Sequence, residues 1–136
     1  MHEFTVQQLI EQLKEPNQRV DAVAALASLG KKAKKAVPAL IQASKDTNRH
    51  VRKMAVLALG DIAGKEAATA LVETLGDEDE GVRRRAVIAL GEIGREATAA
   101  IPALLKVMKD DSERVATWAA WALEEIAPSV AGARAA

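Results

Sequence analysis

Apolar residues recur along this chain with the spacing of amphipathic helices. In the segment VQQLIEQL the apolar residues Val6, Leu9, Ile10 and Leu13 lie three or four positions apart, on one face of a helix. Three further segments repeat this spacing: VPALIQAS (37–44), ATALVETL (68–75) and IPALLKVM (101–108). Each segment is followed by a polar cluster (KEPN, KDTN, GDEDE or KDDS) of the kind that forms turns and N-caps. The pattern predicts four short helices that each end at a turn.

A second helical segment follows each turn, and these four segments resemble one another. The segments VRKMAVLALGDIA (51–63), VRRRAVIALGEIG (82–94) and VATWAAWALEEIA (115–127) align without gaps, and QRVDAVAALASLG (18–30) is a degenerate copy. One helical hairpin cannot bury its apolar faces alone, whereas stacked hairpins can. We therefore predict an all-α fold, a right-handed α-solenoid of four helical hairpins and eight helices.

The repeat boundaries follow from the same alignment. Repeats are predicted at about 4–30, 31–63, 64–94 and 95–127, followed by a C-terminal tail at 128–136. Because each hairpin needs its neighbours for a core, residues 1–136 are expected to form a single domain.

The orientation of the second helix of each hairpin, here called the B helix, follows from helical geometry at about 100° per residue. Numbered from its leading valine as zero, positions 0, +4, +7, +8 and +11 form the core stripe. In the third repeat these are Val82, Ala86, Ala89, Leu90 and Ile93. Positions +2, +3, +6 and +10, here called the B face, point away from the stripe and vary in residue type.

Eight side chains of the B face are the predicted partner-binding residues: Lys53, Met54, Leu57, Arg84, Arg85, Ile88, Trp118 and Trp121. Tryptophan and arginine are enriched in interface hot spots, which favours this interpretation. Two alternatives stay open from the sequence. The tryptophans could cap the end of the solenoid or pack under the tail, and Arg84 and Arg85 could be solvated.

The repeat also resembles a known family. The pattern V-R-x-x-A-x-x-A-L-G-x-I-G, with Asp five residues before the valine, resembles the short HEAT-like repeat of the phycobilisome-lyase type over about residues 4–127. The resemblance implies that the B helices line a concave, partner-binding surface. It also implies that turn aspartates and the arginine at +1 form a ladder, so that Arg83 bonds Asp77 or an acidic turn residue of the neighbouring repeat.

Two repeats depart from the family pattern. The fourth has Ala116 in place of the ladder arginine. In the first repeat, counting from the turn aligns Val20 with Val51, whereas counting back from Gly30 aligns Gln18 with it. The sequence leaves this register open.

Composition excludes several kinds of site. The chain has no cysteine, so disulfides, thiolate nucleophiles and cysteine-based zinc sites are excluded. His2 and His50 are isolated, and no set of converging ligands accompanies them, so we expect neither a metal nor a cofactor. No apolar run approaches a membrane span of roughly 20 residues and no signal peptide is recognisable, so the cytoplasm is the expected location.

The sequence favours a non-catalytic scaffold or adaptor that binds a protein or peptide carrying an acidic and apolar segment, as a monomer or weak homodimer. Nucleic-acid binding is an alternative, suggested by Lys31, Lys32, Lys34 and Lys35 with the arginines. The balance of 19 basic and 19 acidic residues argues against it. A bilin lyase-type subunit is a second alternative, resting on repeat type alone. An engineered HEAT-like binder is a third, although the degenerate first copy favours a natural origin.

Overall fold

The computed structural model describes residues 4–110 and 112–128, and within them the chain is helical, with no strand. The part of the chain so described contains eight α-helices: α1 (Val6–Gln12), α2 (Arg19–Leu29), α3 (Val37–Ala43), α4 (Arg49–Ile62), α5 (Gly64–Thr74), α6 (Glu80–Ile93), α7 (Ile101–Val107) and α8 (Glu113–Ile126). Segments of 3₁₀ helix, Gly30–Ala36 and Gly94–Ala100, lead into α3 and α7. The predicted solenoid of four hairpins is confirmed, while the predicted tail beyond Pro128 lies outside the described residues.

The helices form two layers. The A layer consists of α1, α3, α5 and α7, and the B layer consists of α2, α4, α6 and α8. Each B helix packs against its own A helix and, most extensively, against the next B helix along the chain. Fully buried leucines join the two layers in the second, third and fourth repeats. The A layer contributes Leu40, Leu71 and Leu104, which lie in the same core as the buried leucines of the B layer.

The core is wider than the stripe predicted from one helix. Val82, Ala86, Ala89 and Leu90 are buried as expected, and Ile93 is partly buried. Position +5 is also fully buried in the first three repeats, where it is occupied by valines: Val23, Val56 and Val87. Stacking of successive hairpins buries a second side of each B helix, and the periodicity of a single helix does not reveal this second side.

Side-chain caps define where four of the eight described helices begin. Thr5 and Gln8 form a capping box at α1, and the B helices α4, α6 and α8 are capped by Asn48, Asp79 and Ser112. Pro38 lies in the first turn of α3, where a missing N–H leaves no helical hydrogen bond unmade. The lysines of the sequence KKAKK lie exposed on the preceding 3₁₀ segment around the buried Ala33.

The end of α4 contains a strained residue. Ala63 has φ 62° and ψ −163°, a region that glycine enters far more readily than alanine. The equivalent C-caps of α2 and α6 are glycines with the same sign of φ, Gly30 at 56° and Gly94 at 73°. In this repeat the nearest glycine, Gly64, comes one position later and also has positive φ. The second repeat therefore places a β-carbon at a positive-φ cap where the first and third repeats have glycine.

Replacing Ala63 with glycine is expected to stabilise the protein by about 1 kcal/mol, because relief of backbone strain exceeds the added entropy of the unfolded chain. Urea unfolding followed by circular dichroism measures the change. Ala127→Gly is the matched control, since Ala127 occupies the same position in the last repeat at φ −129°. That control should be slightly destabilised. Equal effects of the two substitutions would refute strain at Ala63.

Candidate functional site

The turns between A and B helices are built around three aspartates. Each carboxylate accepts a hydrogen bond from the backbone N–H two residues later: Asp46 from Asn48 at 2.9 Å, Asp77 from Asp79 at 2.9 Å and Asp110 from Ser112 at 2.8 Å. The residue that donates this N–H is in each case the N-cap of the following B helix. Each aspartate therefore fixes the turn that starts a B helix.

An arginine of the preceding repeat forms an ion pair with the carboxylate of each aspartate. The three pairs are Arg19 Nη1–Asp46 Oδ1 at 2.9 Å, Arg52 Nε–Asp77 Oδ2 at 2.8 Å and Arg83 Nε–Asp110 Oδ2 at 2.9 Å. Arg83 thus pairs with the acidic turn residue of the neighbouring repeat, one of the two partners that the resemblance implied. Asp77 contributes only its backbone carbonyl to Arg83, at 2.9 Å from Nη1. The ladder is a structural feature that ties successive turns together.

Arg19 settles the register of the first repeat. Its Nε donates to the Leu13 carbonyl six residues earlier at 2.8 Å, and Nη1 of Arg52 donates to the Asp46 carbonyl across the same sequence separation. Arg19 therefore occupies position +1, and the count back from Gly30 is the correct one. Position zero is Gln18, the N-cap of α2, which explains why α2 has 11 residues where α4 has 14.

Two clefts lie along the turn edge of the solenoid. A cleft of about 590 Å³ is lined by residues of the second and third turns, including Asp46, Arg52 and Asp77. A second cleft of about 550 Å³ lies between the first two repeats and is lined by residues such as Ile10 and Arg19. The predicted partner-binding side chains line neither cleft, so these side chains form a surface of their own.

The basic residues of the B face differ in whether they lie near an acidic side chain. Arg85 is exposed and Arg84 is partly buried, and neither has an ion-pair partner within residues 4–110 and 112–128. Lys53 instead extends along the backbone of Gly81, and its Nζ lies 3.9 Å from Oδ2 of Asp79. Two unpaired cations therefore remain at the centre of the face, while Lys53 contacts the next repeat.

The two tryptophans, Trp118 and Trp121, have different environments. Trp118 is 38% exposed, whereas Trp121 is partly buried and packs against the core. Gly91 of the preceding B helix makes room for Trp121, because a Cβ at Gly91 would overlap the indole ring. The rings meet edge to face with centroids 5.3 Å apart and an interplanar angle of 90°. Trp121 is thus a packing residue that supports the more exposed Trp118.

The apolar residues of the B face are only partly buried. Met54 and Leu57 are partly buried against the core, and Ile88 is partly buried at the position corresponding to Leu57. Together with Trp121 these residues form an apolar strip along the middle of the B face. Their intermediate burial leaves part of each side chain accessible.

A row of carboxylates was missed by the list of predicted binding residues. Asp61, Glu92 and Glu125 occupy position +10 of α4, α6 and α8, and all three are exposed. None of them has an ion-pair partner in the described parts of the chain. The signal was present in the sequence, since each of the three repeats has an acid at this B-face position.

Asp79, the N-cap of α6, has a shifted pKa. Burial of the carboxyl group acts to raise the pKa, but the hydrogen bond from Val82 N–H and the charges of Lys53 and Arg49 outweigh it. The pKa of Asp79 is therefore lowered below its ordinary value of 3.8. A lowered folded-state pKa contributes stability above the unfolded value, and this contribution is lost as pH falls through the folded value.

Asp79→Asn is expected to lower the free energy of unfolding near neutral pH by about 0.5 kcal/mol, since asparagine still caps the helix but loses the charge interactions. The deficit relative to wild type should shrink as pH falls below 3.8 and vanish at lower pH. Urea titrations across this interval measure it. A deficit that stays constant with pH would contradict the charge argument.

Two further features of the described residues limit what the site can be. They contain no group of three or more His, Cys, Asp or Glu side chains arranged to hold a metal ion; His2 lies outside them. None of their helices is long and apolar enough to cross a membrane.

Comparison with known proteins identifies the repeat. HEAT repeats match residues 6–82 and again residues 70–135, whereas no curated protein matches the chain. The crystal structure of an engineered protein from the Northeast Structural Genomics Consortium is 28% identical with a TM-score of 0.71, covering 92% of this chain and 63% of that one. A designed armadillo repeat protein in complex with the peptide (KR)4 is 26% identical with a TM-score of 0.71, covering 92% and 65%.

The chain spans less than two thirds of either designed protein. It also shares its fold with the complex of CpcE and CpcF of phycocyanin lyase from Nostoc sp. PCC7120, at 20% identity and a TM-score of 0.65, covering 94% of this chain and 67% of that one. Because HEAT repeats match nearly the whole length, the chain belongs to the HEAT repeat family.

Proposed function

We propose that the chain is a non-catalytic scaffold that binds a protein or peptide through the B face. The observation that carries this proposal is that Arg84 and Arg85, which have no ion pair with any described residue, lie on the same face as the exposed ring of Trp118. Arginine and tryptophan are enriched among the hot-spot residues of protein interfaces, and the apolar strip between them gives a partner apolar surface to bury.

Packing of the two layers supports this choice of surface. Successive B helices contact one another more extensively than successive A helices do. In the HEAT-like repeats that this chain resembles, the B helices line the concave surface, which favours the B layer for the inner surface of the solenoid. Inner surfaces of helical repeat arrays are extended and suit long peptide or protein segments.

The structural relatives support the same class of function. One neighbour is a designed armadillo repeat protein in complex with a peptide, and another is a complex between two chains, CpcE and CpcF. Fold likeness alone does not define activity, so the argument for this chain depends on its own B face.

The proposal is tested by selecting binding peptides from a displayed library and measuring their affinity for two double variants. Arg85→Glu/Trp118→Ala alters the B face. Lys106→Glu/Leu105→Ala makes the same kinds of change on exposed residues of α7. We expect selected peptides to bind the first variant at least about tenfold more weakly than wild type, and to bind the second normally. Circular dichroism confirms that both variants are folded. Equal binding to the two variants would refute the B face as the binding surface.

A further inference from the structure

The charges of the B face are sorted into two rows that run along the solenoid. Arg84 and Arg85 lie near the start of α6, in the same row as Lys53 of α4. The acids Asp61, Glu92 and Glu125 lie in the last turns of α4, α6 and α8. The apolar strip of Leu57, Ile88 and Trp121 at position +6 separates the rows. Across α4, α6 and α8 each edge of the face therefore carries charges of one sign only, whereas α2 has the exposed Asp21 at position +3.

The acidic row opposes the electrostatics of the helices that carry it. The C-terminal end of a helix has partial negative charge and favours cations. Nevertheless α4, α6 and α8 have no basic residue in the last turn, and each has an acid there. Local helix stability therefore does not explain the row, whereas recognition of a cationic edge on a partner does.

From these rows we propose that the segment bound on the B face is an amphipathic α-helix, acidic along one edge and basic along the other, lying across the B helices. This inference rests on the proposed function of the B face. Acidic residues of the bound helix face Arg84 and Arg85, basic residues face the acidic row, and apolar residues between them pack on the apolar strip.

The width of the face favours a helix over an extended chain. Positions +2 and +10 are eight residues apart, which corresponds to about 12 Å along a B helix. A bound helix with side chains is roughly 10–12 Å across and reaches both rows at once. Side chains of an extended strand point alternately to two opposite sides, so a strand does not present an acidic edge, an apolar stripe and a basic edge to the surface together.

The repeat spacing also matches a helix. Packed helices are separated by about 8–10 Å, and seven residues of a helix rise by about 10.5 Å. A helix lying across the B layer therefore presents equivalent residues, one heptad apart, to successive repeats. Residues seven apart would meet Leu57, Ile88 and Trp121 in turn.

The sorted charges determine the direction of the bound helix. Rotating a helix by half a turn about the surface normal exchanges its acidic and basic edges, so only one direction satisfies both rows. The chain has two tryptophans, Trp118 and Trp121, and both lie on α8 at one end of the B face. A quencher at one end of a peptide therefore reports which end lies near α8.

The test uses two synthetic three-heptad peptides of identical composition, one with Glu and Lys on separate edges and one with the two mixed along both edges. We expect the separated peptide to bind at least about tenfold more tightly. Its fluorescence quenching should come from a label at only one terminus. Equal affinities for the two peptides, or equal quenching from both termini, would overturn the inference.

A charge-exchanged variant tests direction with the fold held constant. It carries Arg84→Glu, Arg85→Glu, Asp61→Lys, Glu92→Lys and Glu125→Lys, and keeps Lys53, which contacts Asp79. We expect the quenching label to switch to the opposite terminus. If this variant is unfolded by circular dichroism, Asp61→Lys/Glu92→Lys replaces it, with an expected loss of affinity of about tenfold.

Failure of this inference is distinguishable from failure of the proposed function. If both peptides bind equally and Arg85→Glu/Trp118→Ala abolishes the binding of both, the B face binds partners without distinguishing how their charges are arranged. If neither peptide binds, the helix inference is wrong, and the library selection still decides whether the B face binds extended segments.

Discussion

Replacing Arg52 with alanine is expected to lower the free energy of unfolding by about 3 kcal/mol, because it leaves a nearly buried carboxylate without its cation. The Arg52 guanidinium binds both oxygens of Asp77, with Nε–Oδ2 at 2.8 Å and Nη2–Oδ1 at 3.1 Å. Its Nη1 donates to the carbonyls of Asp46 and Thr47 at 2.9 and 3.1 Å. The substitution removes all four hydrogen bonds from a site that water reaches poorly, since the side chains of Arg52 and Asp77 are only 9% and 10% exposed.

The three arginines of the ladder differ in exposure, so their substitutions should form a graded series of stability losses. The arginine side chains become more exposed from Arg52 at 9% to Arg83 at 19% and Arg19 at 28%. Alanine substitutions should therefore destabilise in that order, with the largest loss at Arg52, because solvent weakens the more exposed pairs. Urea unfolding of the three variants measures the series.

The matched control for Arg52 is Arg84→Ala, which removes an arginine of the next B helix that has no ion pair in the described residues. This variant should lie within about 0.5 kcal/mol of wild type. If Arg52→Ala and Arg84→Ala destabilise equally, the ladder does not stabilise the stack. A strong coupling between Arg52→Ala and Asp77→Ala in a double-mutant cycle would assign the energy to the pair itself.

The ladder was predictable in repeats with a clear register and not elsewhere. Arg83 follows a turn aspartate by six residues, and the family pattern implied that it bonds either Asp77 or an acidic turn residue of the neighbouring repeat. Arg19 lacked that signal because Leu13 stands where the aspartate would be. The spacing to the next aspartate carried the missing information, since Arg19–Asp46 and Arg83–Asp110 are both 27 residues apart.

Contacts between repeats were harder to predict than contacts within one hairpin. Helical periodicity gives the direction of a side chain but not the distance to the neighbouring helix. Gly60 illustrates this, because a Cβ there would lie 2.8 Å from the Cβ of Ala89 on the next B helix. The two roles of Trp118 and Trp121 depend on the same kind of distance, and the sequence alone left both open.

The backbone at Ala63 was beyond sequence reasoning for another reason. The alignment placed Ala63 level with Gly30 and Gly94, but alanine is a common helix residue and gives no sign of positive φ. The shorter connection into α5, where a glycine follows one residue late, forces the chain to turn at the alanine.

Replacing Gly91 with alanine is expected to destabilise the protein by about 1–2 kcal/mol, although alanine normally favours a helix over glycine. The new Cβ would lie within 2.8 Å of Cη2 and 2.9 Å of Cε3 of Trp121, so the indole ring must move out of its position against α6. Urea unfolding gives the free energy, and a shift in tryptophan emission reports the displaced ring.

Gly81→Ala is the matched control on the same helix. A Cβ at Gly81 meets the end of the Lys53 side chain, which can move away with little loss, and lies 2.9 Å from Oδ2 of Asp79, also a side-chain atom. We therefore expect a change of no more than about 0.5 kcal/mol from this control. Similar destabilisation by Gly81→Ala and Gly91→Ala would mean that crowding against Trp121 is not the cause.

The decisive variant adds Gly91→Ala to a protein that already carries Trp121→Ala. With the ring removed, the alanine should recover its ordinary helical preference and stabilise the protein by up to about 1 kcal/mol. This reversal of sign would show that Gly91 is needed only to seat Trp121, and that Trp121 is a packing residue. Trp118→Ala should not reverse the effect, because Trp118 is not among the nearest contacts of Gly91. The same cycle therefore separates the tryptophan that holds two repeats together from the one that is more exposed on the B face.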